Sequence, residues 1–157
     1  MFDTIVWATD GSELADATLP LVTELAGIHG SKIVTVHVNE QLRGGRFAGG
    51  PVLADEEELR LKIEGQVADL RAAGFPAELE IVESRRHDTA ALIAEAAGQA
   101  AADLIVVGTR GHGTAGALIH GSVARDLSHV AHCPVLTVPP IGREVPEEHE
   151  RHALTGA

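Results

Sequence analysis

Five short apolar runs alternate along the chain with longer segments in which apolar residues recur at helical spacing. The runs are Thr4–Thr9, Lys32–Val38, Ala77–Glu83, Asp103–Gly108 and Pro134–Val138. This alternation is typical of β-α-β units, whose strands form a parallel sheet. The first, second and fourth runs are almost continuously apolar, which favours central strands covered on both faces. Residues 77–81 alternate between apolar and charged residues, which favours an edge strand.

The first helical segment follows the first strand. Ser12 is a candidate N-cap and Gly30 a candidate end of this segment. Pro20 lies inside the pattern and predicts a kink or break near it, because proline removes a backbone hydrogen bond. The residues that share one face of the segment are Leu14, Thr18, Leu21, Leu25 and Ile28.

Three further helices are predicted, each with one apolar face. The second ends at Gly74 and Pro76, and the third begins near Asp88. The fourth extends from Gly121-Ser122 to Cys133, where the following proline disfavours helical geometry. The apolar faces consist of Leu59, Ile63, Val67 and Leu70 in the second helix, Leu92, Ile93, Ala96 and Ala100 in the third, and Val123, Leu127 and Val130 in the fourth.

Two segments have no apolar period. Gln41–Pro51 contains four glycines and two arginines, which predicts a mobile loop after the second strand. Residues from Gly142 onward are charged, which predicts a frayed tail. We therefore expect one domain over residues 1–140 and a flexible, charged tail over residues 141–157.

Composition narrows the class of protein. The formal net charge of the 157 residues is −11, which argues against nucleic-acid binding, because contact with a phosphate backbone needs a basic face. The single cysteine allows no intrachain disulfide. The first residues lack both the basic region of a signal peptide and the length of a membrane span. A soluble, cytoplasmic protein without nucleic-acid or membrane partners is predicted.

A glycine motif follows the fourth strand. Gly108-Thr109-Arg110-Gly111 is separated by nine residues from Gly121-Ser122, which begins the fourth helix. Glycines allow a ligand to approach the backbone closely, and a helix start favours an anion through its unpaired N–H groups and its dipole. This pattern predicts a phosphate site, and Arg110 projects from the same loop.

The rest of a nucleotide site is predicted on neighbouring strands. With a strand order of 3-2-1-4-5, the order reverses between the first and fourth strands, where open α/β sheets bind ligands. Asp10, after the first strand, can accept hydrogen bonds from ribose or hold a hydrated divalent cation such as Mg²⁺. Backbone groups at His37-Val38 can contact the edge of a base.

Two commoner nucleotide motifs do not fit. A P-loop has four residues between its glycines and then a Lys-Ser/Thr pair, whereas this spacer has nine residues and no lysine follows Lys62. Residues 111–116 satisfy G-x-G-x-x-G, but no carboxylate occupies the region about 20 positions later that a dinucleotide site requires. His129 and His132 share a helical turn without a third ligand, so no metal site is predicted.

The chain instead meets every position of G-x2-G-x9-G-S/T. With Asp10-Gly11-Ser12, His37-Val38 and the closing residues 133–138 in order, residues 2–140 resemble the ATP-binding branch of the universal stress protein family. The resemblance implies an α/β sheet of order 3-2-1-4-5 with helices on both faces, usually in a homodimer formed through the last strand. It also implies that ATP is bound by Asp10, Val38, Val107, Gly108, Gly111, Gly121, Ser122 and Val123.

Three functions are compatible with this resemblance. The first is an ATP-binding stress or signalling protein that acts as a nucleotide-dependent switch with at most slow hydrolysis, since no catalytic residues are evident. The second is a true ATPase or nucleotide hydrolase, although the Ser-Gly-Gly-rich loop common in catalytic relatives of the fold is absent after the first strand. The third is an interaction module that binds AMP or a cyclic nucleotide.

Overall fold

All five predicted strands are present and form one parallel sheet. The computed structural model describes residues 1–40, 52–84, 88–109 and 122–139. The strands are β1 (Thr4–Ala8), β2 (Lys32–Glu40), β3 (Ala77–Ser84), β4 (Leu104–Gly108) and β5 (Val135–Val138). Their order is β3-β2-β1-β4-β5, which confirms the predicted fold. The predicted loop at 41–51 and the tail lie outside the described residues.

The apolar pattern of each strand matches its place in the sheet. β1 is central and pairs with β2 and β4, so that Ala8 lies between Val36 and Val107. Residues 5–8 and 104–107 are buried, as expected of strands covered on both faces. β3 is an edge strand, and its Ile81 is 38% exposed. The alternating pattern therefore identifies the edge correctly.

Helices cover both faces of the sheet. They are α1 (Glu13–Asp16), α2 (Leu19–His29), α3 (Val52–Ala72), α4 (Thr89–Gln99) and α5 (Ser122–Val130). α2 and α3 pack on one face through a core that contains Trp7, Val22 and Val67. α4 and α5 pack on the other face, against Val6, Val34 and other residues of the strands. No helix of the described residues is long and apolar enough to span a membrane.

The first helical segment breaks at Ala17-Thr18, which confirms the break expected near Pro20. Pro20 itself lies in the first turn of α2, where a proline is tolerated. The predicted apolar face is correct only at Thr18, which is buried, because Ile28 is 69% exposed. Leu14, Leu21 and Leu25 are only partly buried. Because the break separates two helical axes, one stripe cannot continue through both helices. The buried residues are Ala15, Thr18, Val22 and Ala26.

The other predicted faces are largely correct. Ile63, Val67 and Leu70 of α3 are buried. Asp88 occupies the N-cap position of α4 without a side-chain capping bond, and its carboxylate accepts a hydrogen bond from the Ser84 hydroxyl at 2.8 Å.

Two expectations for α5 are wrong. The helix ends at Val130, three residues before the predicted end at Cys133. The helical period predicts that Val130 shares the buried face, but this residue is 41% exposed, whereas Ala124 and Leu127 are buried. The period therefore holds for the middle of α5 and fails in its last turn.

Asp103 joins the amino ends of the two central strands. Its carboxylate accepts hydrogen bonds from the backbone N–H groups of Asp3 at 2.8 Å and Thr4 at 2.9 Å. The hydrogen bonds from Thr4 and Asp3 lower the pKa of the carboxyl, because they favour its charged form. β1 and β4 are thus fixed relative to each other at the end of the sheet opposite the candidate site.

Candidate functional site

The carboxyl ends of β2, β1 and β4 lie side by side. Ala8 pairs with Val36 of β2 and Val107 of β4, and the Thr9 N–H extends the ladder by donating to the Val36 carbonyl at 3.0 Å. Asp10 comes next along the chain. The strand order reverses between β1 and β4, where a crevice for a ligand is expected beyond the strand ends.

A hydrogen-bonded turn fixes Asp10 at this edge. Oδ1 of Asp10 accepts from the Ser12 N–H at 3.0 Å and from the Ser12 hydroxyl at 2.6 Å. Oγ of Ser12 in turn accepts from the Ala15 N–H at 3.2 Å, so that Ser12 is the N-cap of α1, as predicted. The N-cap of α1 is therefore Ser12 and not Asp10. The hydrogen bonds from Ser12 also fix the position of the Asp10 carboxylate.

Gly11 allows α3 to lie directly over this turn. Its φ is +74°, and a Cβ atom at this position would lie 2.0 Å from Cδ1 of Leu59. Lys62, on the same helix, donates to the Gly11 carbonyl at 2.7 Å and to Asp16 Oδ2 at 2.5 Å. The turn after β1 is thus fixed by contacts with α3 as well as by its own hydrogen bonds.

The end of β2 is also bonded to the turn. His37 is 4% exposed, and its Nδ1 lies 3.0 Å from the carbonyl oxygen of Thr9. Its Nε2 lies 3.8 Å from Oε2 of Glu56 in α3. The next residue, Val38, is partly buried against the core on the opposite face of the sheet. The side chains of His37 and Val38, on opposite faces of the sheet, therefore both lie at the candidate site.

Six of the residues predicted for the nucleotide site belong to the described part of the chain. Val38 and Val123 pack against the core cluster that contains Val107, so the ends of β2 and β4 and the start of α5 meet on one face. Arg110, Gly111 and Gly121 lie outside the described residues. The six described residues are Asp10, Val38, Val107, Gly108, Ser122 and Val123.

Sequence reasoning does not reveal the contribution of α3. The apolar pattern places Leu59 in the core, gives Lys62 no role and predicts a contribution from the backbone of His37 only. Leu59, Lys62 and Gln66 are spaced three and four residues apart, which places them on one helical face. This spacing is the sequence signal that the three residues act together, but it does not indicate which loop their helical face covers.

Among the described residues, no group of three His, Cys, Asp or Glu side chains could hold a metal ion. His129 and His132 are both exposed.

A model of the universal stress protein family matches residues 1–139 of the chain. The chain belongs to the universal stress protein family. This match confirms the predicted family, and the ATP-binding branch stays a prediction. A universal stress protein of Thermus aquaticus, described as lying in the QAH/OAS sulfhydrylase 3' region, is 36% identical over 146 residues, which are 88% of this chain and 99% of the relative.

Solved structures of universal stress proteins share the fold. A family member from Burkholderia pseudomallei is 30% identical with a TM-score of 0.67, over 87% of this chain and 96% of that one. The universal stress protein from Archaeoglobus fulgidus solved in complex with dAMP is 25% identical with a TM-score of 0.60, over 87% of this chain and 97% of that one. Adenine nucleotide binding is thus known for a structural neighbour within the family.

Proposed function

We propose that this universal stress protein binds ATP at the carboxyl edge of β1 and β4 and acts as a nucleotide-dependent switch with at most slow hydrolysis. The observation that carries the proposal is the position of Asp10, which Ser12 holds at the strand-order reversal beside the start of the glycine motif. A carboxylate placed there can accept hydrogen bonds from ribose hydroxyls. We also propose a cytoplasmic location, which rests on the sequence alone.

The two halves of the proposed site differ in chemistry. The adenosine half consists of Asp10 and the end of β2 at Val38. The phosphate half begins at Gly108 and, by sequence, continues through Gly111 to the start of α5 at Ser122. Backbone N–H groups at a helix start favour phosphate, and they compensate locally for the net charge of the whole chain, which solvent screens. Mg²⁺ would enter with the phosphates of ATP.

Asp10 provides the direct test of the adenosine half. Asp10→Asn keeps an oxygen that Ser12 can bond to and removes the charge, so we expect a folded protein whose ATP affinity falls about tenfold or more, as loss of a charge-assisted hydrogen bond implies. Isothermal titration calorimetry with ATP measures the change. Asp69→Asn, which removes the same charge from an exposed position on α3, is the matched control and should bind like wild type. Absence of any binding by wild type at millimolar ATP would refute the proposal.

A second candidate function is an interaction module that binds AMP or a cyclic nucleotide. The complex of the Archaeoglobus fulgidus relative with dAMP favours it, because a monophosphate does not need the full phosphate half. Competition titrations separate the two functions: displacement of ATP by equimolar AMP favours the module, and a preference for ATP of tenfold or more favours the switch. Steady phosphate release that Asp10→Ala abolishes would instead indicate a true ATPase.

We further propose a homodimer formed through β5. This strand pairs with β4 on one side only, and Val135, Leu136 and Val138 are half-buried. A free apolar edge is a liability that pairing with a second copy removes. Light scattering should give twice the mass of the chain, and the mass of one chain at micromolar concentration would overturn the dimer.

A further inference from the structure

His37 joins three elements at the edge of the candidate site. Its side chain lies on the α2/α3 face of β2, its Nδ1 contacts the Thr9 carbonyl oxygen, and its Nε2 points towards Glu56 of α3. Thr9 precedes Asp10, and His37 precedes Val38. The imidazole therefore bonds the two strand ends that carry the adenosine half of the proposed site.

The partner of Nδ1 determines the tautomer of the ring. A carbonyl oxygen only accepts, so Nδ1 carries the proton and donates it to Thr9. In the neutral ring, Nε2 is then an acceptor. Nε2 is buried and has no hydrogen-bond partner among the described residues, and the Glu56 oxygen 3.8 Å away is an acceptor as well. The neutral ring thus leaves a buried lone pair opposite a carboxylate, an arrangement that proteins rarely tolerate without a reason.

A second proton on the ring reverses this mismatch. Nε2 then donates, and a movement of about 1 Å brings it within hydrogen-bond distance of Glu56. Histidine is the side chain that ordinarily changes charge between about pH 5 and 8. Protonation would therefore convert an unfavourable contact between β2 and α3 into an ion pair.

Charged groups lie around His37 on three elements. Glu56 faces Nε2 from α3, Asp10 follows the bonded residue of β1, and Glu83 lies on β3 two residues beyond Ile81, the residue that pairs with His37. Lys62 of α3 carries a positive charge, and its ammonium donates to the turn after β1 and to α1. Of these groups, Glu56 is the one whose carboxylate lies close to the ring, 3.8 Å from Nε2.

We propose that His37 is a positioning residue of the nucleotide site and that its protonation strengthens nucleotide binding by drawing α3, through Glu56, against the end of β2. The inference rests on the proposed function, because it concerns the same site. Fixing Thr9 and Val38 before the ligand arrives lowers the ordering cost of binding. Binding therefore tightens as pH falls.

The test compares ATP affinity by calorimetry at about pH 6 and about pH 8, on either side of the ordinary histidine range. We expect the affinity of wild type for ATP to be about fivefold higher at the lower pH, after correction for the titration of ATP itself. A coupling of this size between two sites is typical. His29→Gln, at a partly exposed position near the amino edge of the sheet, keeps the ratio and is the control for a histidine without this role.

Three variants divide the effect. His37→Asn keeps an N–H for the Thr9 carbonyl and cannot titrate. Its ratio of affinities at the two pH values therefore falls to the ratio that the titration of ATP alone produces. His37→Phe also loses the donor, and it should bind more weakly at about pH 8 than His37→Asn. Glu56→Gln supplies an N–H to the neutral ring, which removes the mismatch and flattens the ratio without changing His37. Because Glu56 is partly exposed, this variant remains informative if the His37 variants do not fold.

The possible outcomes separate the two proposals. If wild type binds ATP and His37→Asn or Glu56→Gln retains the full pH ratio, the inference about His37 is wrong and the proposed function stands. If wild type binds at neither pH, the proposed function fails. In that case amide exchange of the free protein decides the role of His37: after correction for intrinsic rates, the first turns of α3 should be better protected at about pH 6 in wild type than in His37→Asn. Equal protection would overturn the inference.

Discussion

Replacing Gly11 with alanine is expected to destabilise the protein by about 2–3 kcal/mol. Two penalties combine. The φ of +74° lies in the left-handed region, which is unfavourable for a residue with a Cβ atom by about 1–2 kcal/mol. The new Cβ would also lie 2.0 Å from Cδ1 and 2.9 Å from Cγ of Leu59, so the partly exposed side chain of Leu59 has to shift, which costs about 1 kcal/mol, the low end of the range for overpacking. Urea unfolding followed by circular dichroism measures the loss.

The chain offers a matched control for the glycine. Gly65 lies in α3 without a positive φ, and a Cβ atom added to it would lie in open space, so Gly65→Ala should stabilise the protein by about 0.5–1 kcal/mol through helix propensity. The double variant Gly11→Ala/Leu59→Ala removes the collision and keeps the backbone penalty. Its loss of stability should therefore be smaller than the sum of the losses in the two single variants. Wild-type stability of Gly11→Ala would contradict the close packing of α3 on the turn.

Thr18→Val is expected to lower the free energy of unfolding by about 1–3 kcal/mol, although valine has nearly the shape of threonine. Oγ1 of Thr18 accepts from the indole N–H of Trp7 at 2.8 Å and donates to the Ala15 carbonyl at 2.7 Å. Both Trp7 and Thr18 are fully buried. Without the hydroxyl, the indole N–H loses its partner and cannot reach water, which produces the full desolvation penalty. Chemical denaturation of the variant measures it.

Thr35 provides the same chemical change with the opposite expectation. It is fully buried on β2, and its Oγ1 has no hydrogen-bond partner among the described residues. Thr35→Val removes an unpaired polar atom and should be neutral or stabilising. If both valine variants destabilise the protein equally, the bond between Trp7 and Thr18 contributes nothing specific.

The fold was predictable because its signals are local. Each strand is a continuous or alternating apolar run, and the caps at Ser12 and Gly30 are single residues with known preferences. The buried face of α2 was not predictable in the same way. It depends on the break at Thr18, whose hydroxyl bonds to Trp7 eleven residues earlier, and a helical period assumes one uninterrupted axis.

The site was predictable as a set of strand ends and not as a set of contacts. Asp10, Val38 and Gly108 follow from strand order, because parallel strands end at one edge of the sheet. The contacts of Leu59 and Lys62 with the turn at Gly11 join residues about 50 positions apart. Such contacts depend on where α3 lies over the edge of the sheet, which the apolar face of the helix does not specify.

Trp7 is the only tryptophan of a chain without tyrosine, and it lies in the core under α2 and α3. The core under α4 and α5 contains no aromatic side chain among its described residues. Indole fluorescence therefore reports on the core of one face of the sheet and gives no signal from the core of the other face. Comparing the fluorescence transition with that of the helical signal in circular dichroism shows whether the two faces unfold together, without the introduction of any label.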